Sequence, residues 1–236
     1  MSRTRTRLEL RTEVRQRADM VNSDFVTDNE INRYLNESIS ELYDMLISAK
    51  GQEWYIKTLT LNLVSGQADY DILETDNFYL LLGVDGDAQS DSPFPLRPYM
   101  LDERHDLTEL RRLTRYGNVP NMRYRLSGTI DETTGVYKHR ISFSPVPDSG
   151  TTVRLIYIPH APVLDNDADV WDGFNGWEEY VVVDAAIKCL EKEESSTVAL
   201  ERRKERLIER IEGLASAHDD GFPERVTDVT YRFYKL

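Results

Sequence analysis

The sequence predicts an α+β fold: a four-helix bundle-like domain, an inserted antiparallel β domain and an extended C-terminal arm. Three observations carry this. Apolar residues recur at helical spacing near both ends of the chain. Between them, apolar and polar residues alternate in short runs separated by turn residues. After Gly221 and Pro223, Val229, Tyr231 and Phe233 alternate with Thr230, Arg232 and Tyr234. The domains expected are 1–53 and 165–217 for the two halves of the helical part, 54–164 for the mainly β insertion and 218–236 for the arm.

Leu10, Val14, Ala18 and Val21 predict a first helix over about residues 5–20. Residues 21–26 connect it to a second. Thr27 and Glu30 have the spacing of a capping box, in which the Thr hydroxyl and the Glu carboxylate each satisfy a free backbone N–H. Ile31, Tyr34, Leu35, Ile39, Leu42, Tyr43 and Leu46 then form one apolar stripe, and Gly51 is the expected stop.

In the middle block Leu59, Leu61 and Leu63 alternate with polar residues, as on a half-buried strand. Residues 78–84 are an apolar run read as a buried strand. Prolines 93, 95 and 98 make residues 90–98 a loop or edge segment. Residues 102–113 are read as a short helix and 116–120 as a loop. Segments 121–126, 136–144 and 152–158 read as three strands of an antiparallel meander.

Residues 162–176 form an acidic loop. Trp177, Val181, Ala185 and Cys189 are spaced by fours and predict a helix over 177–191. Residues 198–214 predict a last helix with Leu200, Leu207, Ile208, Ile211 and Leu214 inward. Its mixed charges are read as a solvated face with i,i+4 pairs. The arm has two open placements: an edge strand of its own domain, or an extension onto a neighbour.

Composition narrows function. The formal net charge is −13, with 42 acidic against 29 basic residues, which argues against a general nucleic-acid binder. No apolar run approaches the ~20 residues of a membrane helix, and residues 1–17 lack the apolar core of a signal peptide. The single cysteine, Cys189, is read as a buried apolar residue in a reducing compartment. A cytoplasmic site of synthesis is expected, with no membrane partner.

The chemistry of catalysis is hard to place on this chain. No two of the four histidines lie at i,i+3 or i,i+4. Asp165, Asp167 and Asp169 resemble the start of a calcium loop. That loop, however, needs Gly where Val170 stands and Glu where Gly176 stands. No phosphate-binding glycine loop or nucleophile elbow is present. An enzyme is not expected, nor a metal or any other cofactor. Arg3, Arg5 and Arg7 head the one basic concentration, which continues through Arg11, Arg15 and Arg17. It reads as an exposed arm and solvated helix face, or as an arm that meets an acidic partner or DNA.

The segment Asp28-Asn29-Glu30-Ile31-Asn32-Arg33-Tyr34-Leu35-Asn36-Glu37-Ser38-Ile39 resembles the second helix of phage head–tail adaptor proteins. Ile156-Tyr157-Ile158-Pro159-His160-Ala161-Pro162 is similar to the strand that leaves their β region. Residues 173–186, with Trp177-Glu178-Glu179-Tyr180-Val181, resemble the long helix that follows. The resemblance extends to the related protein called tubular tail protein A of short-tailed phages. It implies a structural subunit of a dodecameric ring between portal and tail, with double-stranded DNA passing through the lumen without sequence-specific binding. The implied partners are the portal protein, the tail nozzle or other tail proteins, and further copies of the chain. The implied location is the neck of the virion, after assembly in the host cytoplasm. By the same resemblance Val229, Tyr231, Arg232, Phe233, Tyr234 and Leu236 would form a portal-contacting arm. Alternatives are another neck or tail component, such as a stopper or tail terminator, or a DNA-packaging accessory using the Arg3, Arg5 and Arg7 arm.

Overall fold

The computed structural model describes residues 4–50, 55–72, 78–86, 93–103, 122–130, 135, 137–147, 151–172 and 176–217. The chain divides into two compact units, Met1–Gly51 with Ala161–Leu236, and Gln52–His160. The fold is mixed α+β, as the sequence predicts, with sheets that are antiparallel except where the two-residue β6 (Arg97–Pro98) pairs parallel with β7 (Arg123–Ile130).

In the first unit a three-residue strand, β1 (Thr4–Thr6), pairs antiparallel with β10 (Val170–Asp172). Helix α1 (Arg7–Arg17) follows at once. Its start is a capping box the sequence reading passed over. The Glu9 N–H donates to Thr6 Oγ1, and the Thr6 N–H donates to Glu9 Oε2 at 2.9 Å. The helix is shorter than expected at its C-terminal end because Asp19 takes φ 57°, which ends the helical hydrogen bonding. Helix α2 (Asp28–Lys50) begins at the expected Thr27–Glu30 capping box, and Ile31, Leu35, Ile39, Leu42, Tyr43 and Leu46 are buried along it.

Helix α3 (Glu178–Lys192) is central, packing against α1, α2 and α4 (Val198–Ala217). The spacing by fours predicted one inward row. Instead Tyr180 through Ile187 are all buried, because helices lie on several sides of α3. Helix α4 buries less, with Leu207 and Ile211 fully inside.

The second unit holds two four-stranded sheets. One has the order β2 (Lys57–Asn62), β9 (Thr152–Pro159), β4 (Phe78–Gly86), β5 (Phe94–Pro95). The other has the order β3 (Asp69–Ile72), β8 (Tyr137–Ser144), β7 (Arg123–Ile130), β6 (Arg97–Pro98). Leu63, Tyr70, Ile72, Val84, Leu96, Ile141, Phe143, Val153 and Leu155 belong to one shared core. The expected meander holds for β7 and β8, which pair antiparallel. It fails at β9, which leaves for the other sheet and lies between β2 and β4. There β9 gains backbone partners on both edges and buries Val153, Leu155, Tyr157 and Ile158. β4 is less enclosed than its apolar run implied: Phe78 and Val84 are buried, whereas Tyr79 and Leu80 are exposed. The proline-rich segment supplies one edge strand of each sheet, β5 and β6. The helix expected over 102–113 lies, from residue 104 onward, outside the described residues.

Candidate functional site

Asp184 sits in the most apolar stretch of α3, and its side chain is 3% exposed. A buried carboxylate must be charged and paired, or neutral. Here it is paired three times. The Ser38 hydroxyl of α2 lies 2.6 Å from Oδ2, Lys188 Nζ lies 2.9 Å from Oδ2, and Lys204 Nζ of α4 lies 2.5 Å from Oδ1. Glu41 of α2 completes the group: Lys188 Nζ donates to its Oε1 at 2.9 Å, and the Tyr180 hydroxyl donates to its Oε2 at 3.2 Å. Three helices therefore meet at one charge cluster.

The protonation states say what this cluster does. Burial pushes the Asp184 carboxyl up, but hydrogen bonds from Lys204, Ser38 and Lys188 outweigh it and hold the group below the ordinary carboxylate range. Burial pulls Lys188 down, yet Asp184 and Glu41 leave it above its ordinary value. Lys188 Nζ is 3.4 Å from Ser38 Oγ, a pairing that in principle could activate a serine. A lysine base must be easily deprotonated for that role. This one is held protonated by two carboxylates. The cluster clamps helices together; it is not poised to accept a proton.

A second network fixes α1. Arg7 donates to Asp167 Oδ1 at 2.7 Å and to the carbonyls of Leu164 and Asp165 at 3.1 and 2.6 Å. Arg11 grips the same carboxylate in bidentate fashion, at 3.0 and 2.9 Å. These two guanidinium groups keep the Asp167 carboxyl below its usual range. Arg15 reaches Asp28 at 2.7 Å and the carbonyls of Met20, Ser23 and Val26, tying down the connection between α1 and α2. Arg5, in β1, pairs with Glu13 at 2.9 Å. Arg17 and Arg203 share Glu179.

The acidic loop is used in the same way. Asp169 Oδ2 accepts the N–H groups of Asp165 and Asn166, both at 2.7 Å, closing the turn, while Asp167 holds the arginines. Among the described residues no three His, Cys, Asp or Glu side chains gather where a metal ion could sit.

Of the residues singled out in the sequence, Arg5 and Arg7 are therefore engaged within the chain. Arg3 and the whole arm set, Val229, Tyr231, Arg232, Phe233, Tyr234 and Leu236, lie outside the described residues. Sequence reasoning missed Ser38, Asp184 and Lys204. The available signals were an acid amid Val181–Ala186 and its i,i+4 spacing to Lys188. Ser38 and Lys204 carry no linear signal.

The second unit has a cluster of aromatic rings. Phe78 stacks on Tyr157 with ring centres 5.5 Å apart and lies 5.0 Å from His139, which Tyr137 meets edge-on at 5.4 Å. Tyr79 meets His160 at 5.5 Å. Burial, and then electrostatic interaction with His160, lower the His139 pKa from its ordinary value.

The outer face of α4 carries exposed arginines that no described carboxylate meets, unlike the other described arginines of its unit. Glu205, Arg206, Glu209 and Arg210, like Arg202, are exposed and have no salt-bridge partner among the described residues. The expected i,i+4 pairs do not form because the sequence puts like charges four apart: Arg202, Arg206, Arg210 and Glu201, Glu205, Glu209. The pairs that α4 does make, Arg203 with Glu179 and Lys204 with Asp184, point inward to α3.

A family model described as SU10 adaptor protein matches residues 5–226. No curated protein matches the chain. Among the described residues no helix is long and apolar enough to cross a membrane.

Proposed function

The chain belongs to the SU10 adaptor protein family, a structural phage adaptor family, and from that premise we propose that it is a head-to-tail adaptor of a tailed phage. In this reading several copies form a ring, dodecameric by resemblance, between the portal and the tail, and DNA passes through the lumen. The observation that carries the reading is the extent of the family match, which runs across both structural units.

The physical character of the chain supports this reading. Two clusters of its charged residues, around Asp184 and Asp167, hold helices in place, as a mechanical part requires. The net charge of −13 suits a channel from which the DNA backbone is repelled and along which it slides. The arm at Val229, Tyr231, Arg232, Phe233, Tyr234 and Leu236 is the proposed portal contact. It lies beyond the matched segment, so its role rests on its own alternation and on the resemblance.

The test is light scattering of the purified protein alone and with its portal, for the full chain and for a chain ending at residue 225. The full chain is expected to give a defined multi-copy complex with portal, and the shortened chain is expected to lose it. A full chain that ignores the portal removes the adaptor reading and favours another neck component.

A further inference from the structure

We propose that the outer face of α4 is a subunit–subunit contact, in which the glutamate row of one copy lies against the arginine row of the next. The inference rests on the ring reading above and names the surface that closes the ring.

Successive residues of a helix are turned by about 100°. The buried side of α4 is defined by Leu207 and Ile211. On the wheel, Arg202, Arg206 and Arg210 fall on one flank of the opposite, outward line. Glu201, Glu205 and Glu209 fall on the other flank. The helix thus carries a basic edge and an acidic edge that run parallel for more than two turns.

Such a pattern is costly within one chain. Like charges at i,i+4 repel and each row contains two such pairs, while the opposite charges at i,i+3, Arg202 with Glu205 and Arg206 with Glu209, form no salt bridge. A helix selected for solubility alone gains by placing Glu four residues before Arg. This one places Glu before Glu and Arg before Arg. Elsewhere in the unit the described arginines are matched: Arg5, Arg7, Arg11, Arg15, Arg17 and Arg33 all have carboxylate partners. Among the described arginines of the unit, those without a carboxylate partner, Arg202, Arg206 and Arg210, all lie on α4.

The occupant is identified by complementarity. A ring of identical subunits needs a heterologous interface, in which one patch meets a different patch and the operation closes. Two edges of opposite sign on one helix meet that requirement with no other partner. Copies set side by side in the same direction bring the acidic edge of each against the basic edge of the next. An antiparallel two-fold pair sets acidic edge against acidic edge or basic against basic, and is repelled.

The experiment uses the full chain, with its portal if assembly requires it, in three forms. One carries Arg202→Glu, Arg206→Glu and Arg210→Glu, so both edges are acidic. A second carries Glu205→Lys and Glu209→Lys, so both edges are basic; Glu201 is left alone because Thr197 Oγ1 donates to it. All five positions are exposed, and circular dichroism is expected to show native helix content in both variants. Light scattering should find each variant tenfold or more weaker than wild type in forming the multi-copy complex. An equimolar mixture should recover it, because acidic-edged and basic-edged copies can alternate. Wild-type assembly should also weaken as salt rises. If both folded variants assemble like wild type, or the mixture fails to recover assembly, the α4 contact is wrong while the ring stands. If wild type forms no multi-copy complex under any of these conditions, the ring reading fails, and this surface with it.

Discussion

Asp184 is the residue whose loss should matter most to the helical unit. Asp184→Asn leaves Lys188 and Lys204 without their buried partner. Removing one member of such a group costs about 3–5 kcal/mol, and the lower end applies because Glu41 still meets Lys188 at 2.9 Å. The acid dependence follows from the sign of the shift. The Asp184 pKa is depressed in the folded state, so its contribution is complete above the ordinary carboxylate pKa near 4 and is lost as pH falls below it. Urea unfolding across pH 2–7 should therefore show a shallower acid loss in Asp184→Asn than in wild type. A residual acid slope remains, since Glu30, hydrogen-bonded first by Lys192 and then by the Thr27 N–H, is also lowered, to about 2. Cys189 gives a second readout at this scale. It is fully buried, and burial pushes its thiol up to about 11. A thiol-reactive dye should label it only as fast as the unit opens, and rapid labelling of the native protein would contradict its placement.

Among the elements, α4 buries far fewer described side chains than α3: Leu207, Ile211 and the inward pairs of Arg203 and Lys204 hold it. Ile211→Ala should cost about 2–4 kcal/mol. Hydrogen exchange should show α4 amides losing protection before those of α3. Equal loss in both helices would mean the unit opens as one. In the β unit, a Cβ at Gly86 would stand 2.7 Å from the Phe94 ring, where β5 closes on β4. Gly86→Ala is expected to displace that ring and lower unit stability by about 1–3 kcal/mol in a thermal melt.

The elements also show what a sequence can and cannot convey. Helix α2 was legible at its start and along its face because a capping box and a seven-residue stripe are both local patterns. The three-residue strands β1 and β10 were not, since three residues establish no period. Strand β9 was legible as a strand but not in its partners. Alternation says which side chains point inward, and it does not say which sheet the strand joins. The same limit explains the polar clusters. Arg7 and Asp167 are 160 positions apart, and Ser38 and Asp184 are 146 apart. Tertiary packing alone brings such pairs together, so the arginines read as a free basic arm when taken in linear order.

For the whole molecule, the account predicts how charge is distributed in the assembly. With 42 acidic against 29 basic residues, and with the α1 arginines neutralised by Asp167, Asp28 and Glu179, the surface facing DNA should be neutral to negative. Double-stranded DNA should then show no binding to the free protein at physiological salt by gel shift. Tight, salt-sensitive binding would point to a packaging accessory.

The head-to-tail role is tested most directly by a cryo-electron-microscopy reconstruction of the neck of the virion that encodes this chain. The account predicts a closed ring of this fold seated on the tailward face of the portal, with α4 of each copy beside α4 of the next. A portal whose tailward face is occupied by a different chain, with this one elsewhere or missing from the particle, would contradict it.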